Sequence, residues 1–168
     1  SLLLIIRQVS SPHVAFLGRI PGTTRYSDFK RHPDNEVIPG VLMFRVESGL
    51  LYFNVSNVNQ TIMNRVLSEE TLPEVVIFDL SSSAFIDSSG ARFIKKLYYN
   101  LEELGISLHL AEAHSEVRDM LRLEGIESEM GHISRKLSLH DILSSCIAEH
   151  IENQRKLVKS IDPALHEK

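Results

Sequence analysis

The stretch EVVIFDLSSSAFIDSSGARFIKKLYYNLEEL, Glu74 to Leu104, decides the fold. Val75, Val76, Ile77 and Phe78 form a short unbroken apolar run of β-branched and aromatic residues, the composition of a strand buried on both faces. Asp79 to Phe85 follows as a Ser-rich loop. Asp87-Ser88-Ser89 then stands directly before a helical pattern whose apolar face is Ile94, Leu97, Tyr98, Leu101 and Leu104. An Asp or Ser at that point accepts hydrogen bonds from the first unpaired backbone N–H groups. Gly90 removes a side chain where the first turn must come close to another segment. Strand, hydroxyl-rich loop and helix N-terminus together make a site that favours negative charge.

Downstream, Gly105 lies where a helix end calls for positive φ, and Ile106–Ala111 alternates as a strand does. Ser115–Leu123 reads as a short helix packed by Val117, Met120 and Leu121 and closed by Gly125. Ile126–Ile133 is expected to hold a short edge strand. Ser138-x-x-Asp141, a weak capping-box variant, opens a last helix whose stripe is Leu139, Ile142, Leu143, Cys146, Ile147 and His150.

Upstream, Val58, Ile62 and Val66 fall at helical spacing with Leu67 beside them; Ser56 or Asn57 is the expected cap, and Pro73 follows the end. Val41–Val46 and Leu50–Phe53, around Glu47-Ser48-Gly49, read as a β-hairpin. His13–Ile20 reads as a strand ended by Pro21-Gly22. Thr23–Gly40 is a long connection with little apolar periodicity. Strands alternating with helices imply an α/β fold. Its central sheet is mixed, an antiparallel hairpin plus parallel βαβ units, flanked by about four to five helices.

Composition narrows the function. A net charge of −4 and a pI near 6.0 leave no basic field for nucleic acid. One cysteine, Cys146, permits no internal disulfide. No run approaches the roughly 20 apolar residues of a membrane span. Ser88 and Ser89 lie beside Asp87, but G-x-S-x-G is absent and no histidine has a defined partner spacing, so a hydrolase is disfavoured. The eight histidines show no metal-ligand spacing, and the glycines form no phosphate loop; neither a metal nor a cofactor is expected. Lys30-Arg31-His32, with Arg25 nearby, reads as a solvated loop, with contact to a membrane surface or partner domain as its functional alternative.

Asp79-Leu80-Ser81 followed by Phe85-Ile86-Asp87-Ser88-Ser89-Gly90 resembles the signature loop of STAS domains, the sulfate-transporter and anti-sigma-factor-antagonist family. A second set of motifs is similar to the SulP-type anion transporters: Leu17-Gly18-Arg19-Ile20-Pro21-Gly22-Thr23, Tyr26-Ser27-Asp28, Ile38-Pro39-Gly40-Val41-Leu42-Met43-Phe44-Arg45 and Leu51-Tyr52-Phe53-Asn54. Antagonists are compact and lack the long segment after the first strand. Asn54-Val55-Ser56 departs from the Ala-Asn often found there.

This resemblance implies the cytoplasmic STAS domain of a secondary anion transporter, for sulfate, bicarbonate or a dicarboxylate, acting in regulation, assembly or partner docking rather than as an enzyme. Residues 1–12 become a linker from an upstream membrane domain, 13–152 the STAS domain and 153–168 a polar tail. The implied partner is the membrane domain of the same chain; a homodimer, a soluble protein partner and weakly bound nucleotide stay open. By the match to the antagonists, Ser88 is the candidate phosphoacceptor, within a signature loop of Asp79, Ser81, Asp87, Ser89 and Gly90. A free-standing, antagonist-like phospho-switch regulator is the alternative.

Overall fold

The apolar run of the decisive stretch becomes a strand with a helical layer on each side. Val76, Ile77 and Phe78 are wholly buried, Val76 and Phe78 toward one layer and Ile77 toward the other. The computed structural model describes residues 2–4, 10–134 and 137–161. The elements in chain order are β1 (Val14–Arg19), β2 (Tyr26–Asp28), β3 (Val41–Val46), α1 (Val55–Ser68), β4 (Val75–Asp79), α2 (Ser88–Glu103), β5 (Ser107–Ala111), α3 (Ser115–Leu123), α4 (Glu127–Met130) and α5 (Leu139–Ile161). The sheet order is β2-β1-β3-β4-β5. β1 runs antiparallel to both neighbours, whereas β3, β4 and β5 are parallel. The expected mixed sheet is therefore the observed one.

Both parallel crossovers, through α1 and α2, lie on one face of the sheet, as right-handed connections progressing in one direction must. Val58, Ile62 and Val66 of α1 and Ile94, Leu97 and Leu101 of α2 pack there on Phe44 and Phe78, whose rings stack at 4.3 Å between centroids. α5 covers the opposite face, where Leu139, Ile142 and Leu143 meet Ala15, Leu17, Met43, Ile77 and Ala111.

Several expectations are corrected. Leu50–Phe53 is no hairpin strand: Leu50 forms an isolated parallel bridge to Ile86, and the chain then turns into α1. Asn54 causes the turn, since its Oδ1 accepts the Leu51 N–H at 3.0 Å and its Nδ2 donates to the Gly49 carbonyl at 3.0 Å. Asn54, and neither Ser56 nor Asn57, therefore stands at the helix start. The antiparallel partner of β1 comes instead from the supposed loop, as the three-residue β2. Asp28 anchors it: its carboxylate accepts His13 Nε2 at 2.8 Å and the Lys30 N–H at 2.9 Å. Burial pushes the Asp28 pKa up, but these bonds and the nearby His13 and Arg31 charges outweigh it and hold the carboxyl below its ordinary value.

Residues 126–133 contain the short α4 rather than an edge strand. Wholly buried Ile126 fixes its start, and Glu127 accepts the Ile133 N–H at 3.0 Å where a strand would have needed a ladder partner. The apolar stripe of α5 also ends early: Ile147 is 40% exposed, and the exposed His150 Nδ1 lies 2.8 Å from the Glu74 carboxylate. α5 continues to Ile161, inside the span assigned to a tail. Residues 1 and 5–9 of the expected linker, and 162–168 of the tail, lie outside the described residues.

Candidate functional site

β4 delivers Asp79 to the rim of the sheet almost wholly buried. A lone carboxylate there would be costly, and its partner stands in register on β3. Arg45 Nε and Nη2 both donate to Asp79 Oδ2, at 2.9 and 2.8 Å. Oδ1 accepts the Ser81 N–H at 2.9 Å and so starts the loop turn. Ser83, fully buried, donates to the Ser48 carbonyl at 2.9 Å. The loop is thus pinned to the segment after β3 before the helix begins.

Asp87 then caps α2 and performs a second task. Its Oδ1 accepts the Gly90 N–H at 2.8 Å, while its Oδ2 accepts the Tyr52 N–H at 2.9 Å. Its own N–H donates to the Leu50 carbonyl at 3.1 Å. One carboxylate therefore joins the starts of α1 and α2. Gly90 is what lets them approach: a Cβ there would collide with the Leu50 carbonyl oxygen and lie 2.9 Å from Leu50 Cβ.

With Asp87 committed, Ser88 and Ser89 are the first two residues of α2, both half-buried, and neither hydroxyl makes a hydrogen bond among the described residues. They are polar groups at a positive helix end without structural employment. Phe85, three residues before Ser88, and Tyr52, whose N–H meets Asp87, are 52% and 73% exposed. The loop residues singled out from sequence are therefore brought together, but in different roles: Asp79 and Asp87 hold the scaffold, Gly90 permits it, Ser81 supplies a turn N–H, and Ser88 and Ser89 are free.

Sequence reasoning missed Arg45, Tyr52 and Asn54. A charged residue at the end of an otherwise apolar strand, with an Asp at the end of the next, was the available signal for Arg45. Tyr52 takes part through its backbone, which leaves no signal. Arg31, in the basic cluster, lies 3.9 Å from Asp28 and is otherwise exposed.

On the α5 side of the same rim, Ser138 and Asp141 form the full reciprocal box: the Asp141 N–H donates to Ser138 Oγ at 3.1 Å, and the Ser138 N–H to Asp141 Oδ2 at 3.1 Å. The Ser138 hydroxyl and N–H hold the Asp141 carboxyl below its ordinary value. Tyr26 Oη lies 2.9 Å from His140 Nδ1. Among the described residues no group of three or more His, Cys, Asp or Glu is placed to hold a metal ion, and no helix is long and apolar enough to cross a membrane.

A family model described as the STAS domain matches residues 32–140. Sulfate transporter 1.3 of Arabidopsis thaliana is 31% identical over 154 residues, covering 87% of this chain and 24% of that protein. Probable sulfate transporter 4.2 of the same plant is 27% identical over 174 residues, 98% of this chain and 26% of that protein. The chain thus spans about a quarter of these relatives. Among solved structures, the murine solute carrier 26 family member A9 anion transporter superposes with a TM-score of 0.76 at 23% identity, over 88% of this chain and 24% of that one. A SulP transporter STAS domain from Vibrio cholerae gives 0.54 at 18% identity, over 74% and 94%. These two likenesses concern the fold.

Proposed function

Because the chain belongs to the STAS-domain family, we propose that it is the non-transporting domain of a SulP-type secondary anion transporter. It would lie on the cytoplasmic face of the membrane and act in regulation, assembly or partner docking. One observation carries this reading: sulfate transporters match along 87% and 98% of this chain while it accounts for only about a quarter of their length. The anion, whether sulfate, bicarbonate or a dicarboxylate, would be carried by the remainder of such a protein. The partners we infer are that membrane domain first, then a second copy or a soluble protein. Binding rather than catalysis is supported by the signature loop, whose carboxylates are consumed by backbone N–H groups and Arg45 and are not poised as bases.

Fractionation with an antibody to this domain tests the reading. The native protein should appear in membranes at a mass far above the 19.0 kDa of this chain. Recovery from the cytosol at that mass would overturn it in favour of a free-standing regulator of the antagonist type.

Within the domain, Ser88 is the proposed phosphoacceptor, a half-exposed, unbonded hydroxyl at a helix start. Phosphate adds nearly two charges and three acceptor oxygens there. The helix end offsets a charge by roughly 0.3–1 kcal/mol, so the fold should tolerate it while a docked surface would not. Ser88→Asp should leave the melting temperature within about 3 °C and alter anion flux or partner capture by the full-length protein; Ser88→Ala should do so much less. Equal flux and capture for parent, Ala and Asp would reduce Ser88 to a helix-start residue.

A further inference from the structure

Six described residues have positive φ; five are glycines and the sixth is Glu112, at φ 55°. That region suits residues without a Cβ, and a glutamate held in it is strained. Its side chain does not explain the choice structurally: Glu112 is exposed, and its carboxylate makes no hydrogen bond or ion pair among the described residues. Glycine would suit this backbone better, and no contact among the described residues accounts for the carboxylate.

Glu112 follows β5 at the carboxyl ends of the parallel strands, where α/β sheets place their ligands. It lines a cleft of about 620 Å³ on the α5 side of the sheet, within the range of small-molecule sites. The other charges of this cleft are mostly spent. Its floor is the Arg45–Asp79 ion pair, and one wall is the Tyr26–His140 hydrogen bond. Arg25 is the exception: it precedes β2 at the opposite edge of the sheet, lines the same cleft, and its guanidinium, like the Glu112 carboxylate, makes no hydrogen bond or ion pair among the described residues. The two line the cleft from opposite edges of the sheet and form no ion pair with each other.

We propose that this cleft binds a small zwitterion, a free amino acid or a short peptide, with its carboxylate on Arg25 and its ammonium on Glu112. An anion alone would leave Glu112 facing it, and a cation alone would leave Arg25. Only a ligand carrying both charges uses both residues.

Titration calorimetry on the 168-residue chain tests this with glycine, L-lysine, diglycine and triglycine, each beside its N-acetylated and its carboxamide form. Saturable binding of at least one zwitterion is expected, with the amino acid and peptide arms identifying which source fits. Either blocked form, Arg25→Ala, or Glu112→Gln should weaken it at least about tenfold. Glu112→Gly should abolish binding while raising the melting temperature, because the strain is relieved. The proposal is overturned if no probe binds at about 10 mM or the blocked forms bind equally. Substitutions without effect on binding, or Glu112→Gly lowering the melting temperature, would overturn it as well.

Discussion

Replacing Gly90 by alanine sets two effects of known sign against each other. Gly90 has no positive φ and sits in the first turn of α2, so local propensity alone favours alanine by about 1 kcal/mol. The new methyl, however, would collide with the Leu50 carbonyl oxygen and lie 2.9 Å from Leu50 Cβ. Backbone cannot swing aside as a side-chain tip can. Moving it stretches the Asp87 N–H to Leu50 bond at 3.1 Å and the Tyr52 N–H to Asp87 bond at 2.9 Å. The displacement costs typically 1–3 kcal/mol, and weakening a charge-assisted bond adds about 1.5 kcal/mol more. Net destabilisation should be about 1.5–3.5 kcal/mol, a fall of roughly 3–14 °C in melting temperature for a chain of this size. Urea unfolding followed by circular dichroism measures it. Gly105→Ala is the control: φ is +75° with nothing within 4 Å of the added Cβ, so it should cost only the left-handed strain of about 1–2 kcal/mol. A Gly90→Ala protein as stable as the parent, or more so, would refute the claim that close approach dictates this glycine.

Val76→Asp buries an unpaired carboxylate in the centre of the sheet and should cost several kcal/mol, enough to abolish the cooperative melt. Arg45→Ala strands Asp79 and should cost about 3 kcal/mol, at the low end for a buried pair because Arg45 is 23% exposed; adding Asp79→Asn should recover part of the loss in urea midpoint. His109 gives a pH dependence. Burial holds its pKa below the ordinary value, with Glu149 pulling weakly upward. The folded chain therefore binds fewer protons than the unfolded one below about pH 6.5. Stability should fall as pH drops from there toward the folded pKa and be flat above, and His109→Gln should remove that slope below about pH 6.5.

The central stretch was legible because its signals agree: an apolar run too short for a buried helix, a capping residue, then a helical period. The Asp87 cap and the close approach at Gly90 could be read from residue type, although not the segment being approached. Leu50–Phe53 misleads because its apolar content is that of a strand. What decides its conformation is the side chain of Asn54 and a carboxylate 35 positions beyond Tyr52, and such long-range bonds leave no local trace. β2 was illegible for a related reason. Three residues carry no periodicity, and the strand exists because β1 offers it an edge and Asp28 finds His13. Glu112 could not be found either, since nothing in its residue type announces positive φ.

Among the described residues α5 alone covers its side of the sheet, and that gives the domain two tiers of stability. Through Lys156, only Leu139, Ile142 and Leu143 of its side chains are buried. At about 1.5–3 kcal/mol each, they provide gross docking of roughly 5–9 kcal/mol, against about 1 kcal/mol or more of backbone entropy for every residue ordered. The other face interlocks α1, α2 and α3 over the Phe44–Phe78 stack. Native-state hydrogen exchange should therefore show the amides of α5 opening as one cooperative unit well below the global limit set by β3 and β4. Each opening would briefly bare the strip of Met43, Ile77 and Ala111. That transient species is the one most exposed to proteases and to other copies of the chain, so the lifetime of the folded domain rests on one helix more than on its core.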